Sequence, residues 1–186
     1  SFPSLSLTLF VIIVSALNCW DGDECNALKG TDGSLFHPFI KRDEKLFLFA
    51  PEFNRSIFIT YKQDSEVEGI PTYKFVVPQE LFFAPKKNTE NKCYCANDDL
   101  AMTSDGFCSI SGIIDMSKCN KGAPLVLSSP HYLYSDDILI NATVITKPSE
   151  ELHSSSLEID PVNEHTCNYL RVNILNPFFI TFRLPA

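Results

Sequence analysis

The chain has 186 residues, enough for one domain with a real core or for part of a larger one. Apolar residues make up 45%, with 15 Phe, 12 Pro and only 7 Gly, which describes a folded body of short strands and stiff connections rather than a disordered tail or long helices. Fifteen basic against 23 acidic residues give a net charge of −8, and the basic ones are scattered or paired (Lys41-Arg42, Lys86-Lys87), so nucleic acid and anionic membrane surfaces are excluded as partners of this segment.

The chain opens without Met, which points to a fragment or a processed product. Residues 5–17 (LSLTLFVIIVSAL) form an apolar run too short to span a bilayer, which takes about 20 residues. The run has the length of a signal-peptide core, and Val14-Ser15-Ala16 offers a small-residue cleavage site, although no basic stretch precedes it. A buried strand pair and sequence foreign to the functional protein are the alternatives. Residues 1–18 are therefore set apart as a leader-like segment.

Residues 20–33 (WDGDECNALKGTDG) are polar and turn-rich, with Asp-Gly at 21–22 and 32–33. Three strand-like runs follow at 46–49 (LFLF), 56–61 (SIFITY) and 72–77 (TYKFVV), the last bracketed by Pro71 and Pro78. The first two are apolar on both alternating faces, which predicts burial on both sides. Residues 79–83 predict a helical turn ending before Pro85, and 85–105 is a polar, cysteine-bearing excursion. Further along, 124–128 reads as a strand. Ser149-Glu150-Glu151 reads as an N-cap with acids in the first turn of a short helix, and 170–175 and 178–182 read as two more strands.

Seven cysteines stand at 19, 25, 93, 95, 108, 119 and 167, four of them between Cys93 and Cys119. Such a cluster means disulfides in a secreted protein and metal in a cytosolic one. The sequons Asn54-Arg55-Ser56 and Asn141-Ala142-Thr143 favour the secretory pathway and make Asn54 and Asn141 candidate glycosylation sites. A zinc site on Cys93, Cys95, Cys108 and Cys119 is the weaker reading, because Cys-x-Cys without a second close pair is poor zinc spacing. No catalytic, cofactor-binding or metal residue is assigned. The four histidines, His37, His131, His153 and His165, sit in no G-x-S-x-G elbow, H-E-x-x-H pair or phosphate loop, so the chain is read as a non-enzyme.

Five stretches in order carry a resemblance. They are Trp20 followed by Cys25-Asn26-Ala27-Leu28-Lys29-Gly30-Thr31-Asp32-Gly33 and Phe36-His37-Pro38-Phe39; Arg55-Ser56-Ile57; Gly69-Ile70-Pro71-Thr72-Tyr73-Lys74-Phe75 with Pro78; the cysteine cluster running into Gly112-Ile113-Ile114-Asp115-Met116-Ser117-Lys118-Cys119, Gly122-Ala123-Pro124 and Pro130-His131-Tyr132; and Pro148-Ser149-Glu150-Glu151-Leu152-His153 with Ile159-Asp160-Pro161. Together they resemble the class B scavenger receptors, the family of the fatty acid translocase, croquemort and lysosomal integral membrane protein branches. The resemblance covers 19–162, a partial ectodomain, and leaves 163–186 as a divergent C-terminal segment.

The resemblance implies a mainly β fold with short helices (α+β), part of a large antiparallel β-barrel ectodomain with an apolar tunnel. It implies disulfides Cys25 to Cys93 and Cys95 to Cys108, the second closing a short loop worth about 3 kcal/mol. Where the family has the partner of Cys119, this chain has Asn54, so Cys119 is unpaired or takes an alternative partner, with Cys19 and Cys167 as substitutes or free thiols. The parent would be a receptor in the plasma or lysosomal membrane, its ectodomain extracellular or lumenal. Its transmembrane helices and ligand-catching helical apex would lie outside this chain, and its partners would be lipids, lipoproteins, or apoptotic-cell or pathogen ligands. A soluble truncated product binding lipid or a partner, and a misassembled product, are the competing readings.

Overall fold

The structure is a computed structural model that describes residues 16–95, 107–123, 125–142, 147–162 and 179–182. Its strands are β1 (Lys45–Ala50), β2 (Arg55–Val67), β3 (Ile70–Val76), β4 (Ile113–Asp115), β5 (Leu125–Ser128), β6 (Ser156–Ile159) and β7 (Phe179–Phe182), and its α-helices are α1 (Asp23–Asn26), α2 (Asp137–Ala142) and α3 (Glu150–His153). All strand pairing is antiparallel, in a four-stranded sheet ordered β1-β2-β3-β6 and a three-stranded sheet ordered β4-β5-β7. The chain is thus mainly β with short helices. Among the described residues neither sheet closes into a barrel.

Alternation along β2 places Arg55, Ile57 and Ile59 inward and leaves Ser56, Phe58 and Thr60 half-buried on the other face. β1 is its partner, with Leu46 opposite Ile59 and Phe47 opposite Phe58. Full burial on both faces of these two strands is not what the structure has: on the second face Phe58 is half-buried and Phe47 is 40% exposed, where that face opens into a cleft. The turn between the strands runs through a 3-10 helix, Pro51–Phe53, and Asn54 at φ 46, a left-handed conformation that Asn tolerates.

β2 and β3 form a hairpin closed by Glu68 and Gly69, both at positive φ (52 and 84), the turn hand that matches the right-handed twist of paired strands. Lys62 is skipped between the Tyr61 and Gln63 pairings, a bulge that frees its Nζ to meet Glu150 at 2.5 Å. Pro71 falls inside the start of β3, opposite Glu66, where β6 has not yet begun to pair and no outer donor is needed.

The segment before β1 runs along its free edge, with Thr31 N–H donating to the Phe47 carbonyl at 3.2 Å and Phe49 N–H to the Thr31 carbonyl at 2.8 Å. Gly30 permits this close approach: it sits at φ 83, and a Cβ there would overlap the Phe47 carbonyl.

The inner faces of both sheets share one core. Ile59, Phe75 and Ile159 from the larger sheet and Ile114 and Leu127 from the smaller one join Trp20, Phe53, Phe82 and Met116. The turn expected at 79–83 is a 3-10 helix, Gln79–Phe82, that adds Leu81 and Phe82 to this core. α3 begins after Ser149, but the serine side chain makes no cap. The Ser149 N–H donates to His153 Nδ1 at 2.9 Å, one turn on. The expected strand at 170–175 and most of the apolar run at 5–17 lie outside the described residues.

Candidate functional site

Three disulfides frame one end of the larger sheet. Cys25 on α1 is bonded to Cys93, with Cα atoms 6.4 Å apart; Cys95 is bonded to Cys108 at 5.7 Å; and Cys19 is bonded to Cys119 at 5.0 Å. Asn26 organises the first of these segments. Its Oδ1 accepts from the Cys19 and Trp20 N–H groups at 3.1 and 2.9 Å, and its Nδ2 donates to the Trp20 and Gly22 carbonyls at 2.7 and 2.9 Å. Cys93 rides on a 3-10 helix, Thr89–Tyr94, capped where the Asn88 side chain accepts from the Glu90 N–H.

Cys119, left without an assigned partner by the sequence, is thus held by Cys19, and an ion pair of Lys118 with Asp21 at 2.6 Å flanks the bond. Cys167 lies outside the described residues. Bonded sulfurs hold no thiolate for zinc, and no group of three or more metal-ligating side chains converges among the described residues.

The other candidate residues are dispersed. Asn54 is half-buried just before β2, and its sequon Ser56 accepts the Lys29 N–H at 2.8 Å through Oγ. Asn141 is exposed on α2, with Thr143 outside the described residues. His37 contacts the Pro38 carbonyl at 2.9 Å through Nδ1 and Glu44 at 3.3 Å through Nε2. His131 and His153 stack on each other with centroids 4.0 Å apart, and desolvation, aided by repulsion from His131, lowers the His153 pKa. His165 falls outside the described residues.

What the sequence does not foretell is a cleft of about 370 Å³ beside the disulfide frame. Phe47 and Phe58, a cross-strand pair with centroids 5.9 Å apart, form its apolar floor, with Lys45 Nζ 4.4 Å above the Phe58 ring. α1 and the Thr89–Tyr94 helix supply its sides through Ala27 and Tyr94. The Cys25–Cys93 disulfide ties those two sides to each other.

Arg55 borders the same cleft from the inner face of β2. Its guanidinium lies 3.8 Å from the Tyr94 ring, which in turn meets Trp20 edge-on at 5.4 Å. Burial pulls the Arg55 pKa down to about 10, with Tyr94 acting weakly the other way, so it stays charged at neutral pH. The signal for this residue is present in the sequence as a charge at inward parity with Ile57 and Ile59.

The CD36 family profile matches residues 13–166 of this chain. Over 148 residues, 80% of this chain and 29% of the relative, it is 34% identical to Lysosome membrane protein 2 of Rattus norvegicus and 33% identical to the Homo sapiens protein of that name. Over 151 residues, 80% of this chain and 27% of the relative, it is 37% identical to Scavenger receptor class B member 1 of Rattus norvegicus. The chain therefore spans 27–29% of the length of these curated relatives. No helix among the described residues is long and apolar enough to cross a membrane. Matched along most of its length by the family profile and by receptors of this type, the chain belongs to the CD36 family, the class B scavenger receptors.

Proposed function

We propose that this chain is a disulfide-tied part of the ectodomain of a membrane-anchored lipid receptor, with no enzymatic step of its own, and that the cleft over β1 and β2 is a lipid-contacting surface. The observation that carries this reading is the Phe47–Phe58 pair, apolar and partly exposed at the floor of a cleft of about 370 Å³, a volume in the range of ligand sites. Aromatic walls accept an acyl chain without leaving polar groups unsatisfied.

In the whole receptor, β1, β2, β3 and β6 contribute to the wall of a larger antiparallel barrel, and the Phe47–Phe58 face turns toward an apolar tunnel. Residues 19–162 are the ectodomain portion. The ectodomain faces an oxidising space, extracellular or lysosomal, where the three disulfides persist and Asn54 and Asn141 carry glycans. The ligands are lipids or particles that deliver them, such as lipoproteins. The relatives' names, a lysosome membrane protein and a scavenger receptor, support a membrane setting of this kind.

The test is a titration of the chain, secreted from an oxidising host, with an environment-sensitive fluorescent fatty acid. Saturable binding that unlabelled lipid displaces, weakened about tenfold by Phe58→Asp through the cost of a buried charge, is the expected result. No saturable binding, or binding indifferent to Phe58→Asp, would set the reading aside.

A further inference from the structure

Arg55 is only 3% exposed. Arginines are almost never buried that deeply unless paired, because desolvation of the ion is costly. Among the described residues this one forms no ion pair. Its Nη2 reaches Asn91 Oδ1 at 3.5 Å, the outer limit of a hydrogen bond, its Nε has no partner, and its remaining contact is the Tyr94 ring face. A guanidinium carries five N–H donors in a fork that fits carboxylate and phosphate oxygens, and among the described residues Nε has no acceptor and Nη2 only a long one.

Arg55 is among the residues lining the cleft, at the start of β2 and on the opposite face of that strand from Phe58. Four other charged residues line that cleft. Lys29 and Glu24 neutralise each other at 3.3 Å, leaving Lys45 and Arg55 against Glu90. A locally positive cleft in a chain of net charge −8 selects for an anion. Behind Arg55 lies a smaller cavity of about 40 Å³, also lined by Asp115, whose Oδ1 accepts the Ser117 N–H at 2.8 Å.

We propose that Arg55 is the anchor for the anionic head of an amphipathic acyl ligand, a carboxylate or a phosphate, whose chain lies along Phe47 and Phe58. The inference rests on the lipid reading above and adds the head-group chemistry and the residue that reads it. The anion supplies the charged hydrogen bonds the guanidinium lacks, and the low-dielectric surroundings strengthen them.

The experiment measures binding of palmitate, methyl palmitate and hexadecyl phosphate to the whole chain and to Arg55→Gln and Arg55→Lys, with thermal unfolding of each. Wild type is expected to bind at least one of the two anionic lipids about tenfold or more tighter than the ester, the gain of a charge-assisted contact, and the tighter of the two identifies the head group. Arg55→Gln is expected to lose that preference while binding the ester as before and unfolding no earlier, since an unpaired buried charge has been removed. Arg55→Lys keeps the charge without the fork and should retain part of the preference, which preserves the test should the glutamine variant not fold.

Equal wild-type affinity for the ester and both anions overturns the role of Arg55 and leaves the lipid reading standing. That role is equally overturned if both Arg55 variants weaken ester and acid alike. Failure of wild type to bind any of the three overturns both.

Discussion

The indole N–H of Trp20 donates to the Asn54 carbonyl at 2.6 Å, which brings the neighbouring Cys19 up to the start of β2. The resemblance implies a partner for Cys119 at position 54, where this chain has Asn54; in the structure Cys119 is bonded to Cys19. Cys19→Ser should therefore cost about 2–5 kcal/mol in urea unfolding, in keeping with a loop 100 residues in separation. Adding Asn54→Cys to that variant should return Cys119 to an oxidised state and recover most of the loss. Thiol counting that finds Cys119 free in the double variant would contradict this relation.

Trp20→Phe keeps the ring against Tyr94 and removes the donor to Asn54. The expected cost is about 1–2 kcal/mol by chemical denaturation, the penalty of one partly buried hydrogen bond left unmade. An unchanged midpoint would mean that the carbonyl finds water without penalty.

Asp136 joins three segments: its Oδ1 meets Lys87 Nζ at 2.7 Å, its Oδ2 accepts the Ser111 N–H at 2.8 Å, and its own N–H donates to the Ser111 carbonyl at 3.1 Å. Desolvation raises its pKa, but the Lys87 and Ser111 contacts outweigh that and hold the carboxyl below its ordinary 3.8. A depressed carboxylate pKa gives stability that is present above 3.8 and lost as pH falls through the folded-state value. Asp136→Ala should lower stability by about 1–3 kcal/mol at pH 7, and the deficit relative to wild type should shrink in acid.

The His131–His153 stack predicts a loss in the same direction at higher pH. A His153 pKa below 6.5 means that the unfolded chain binds the proton more readily, so stability is full above 6.5 and declines as pH drops toward the folded-state value. The ring nitrogen that takes the Ser149 N–H loses its lone pair on protonation, and the second imidazole is 4.0 Å away. His153→Gln should flatten thermal stability between pH 7 and 5 relative to wild type. A wild-type profile already flat in that window would contradict it.

The aromatic and aliphatic runs of β1, β3 and β5 are legible because short-range composition and proline brackets are local properties. The second half of β2, residues 62–67, is not: KQDSEV carries no strand composition and is held by hairpin pairing to β3 alone. The turn at Glu68 hides because Glu rarely adopts positive φ, and only Gly69 beside it signals a reversal. α1, β4, α2 and β6 are too short for periodicity to mark them. The cleft depends on tertiary proximity between β1, α1 and the Thr89–Tyr94 helix, which no local pattern carries. The sequence shows Arg55 as a charge in register with Ile57 and Ile59, but which side of β2 faces the core, and the lack of an ion pair among the described residues, belong to the tertiary structure.

The most direct measurement is photo-crosslinking of the secreted chain with a photoactivatable fatty acid, followed by peptide mapping. Lipid contact over β1 and β2 predicts label on peptides containing Phe47 and Phe58, competed by unlabelled lipid. Label confined to peptides outside the cleft, or insensitive to competition, would contradict it.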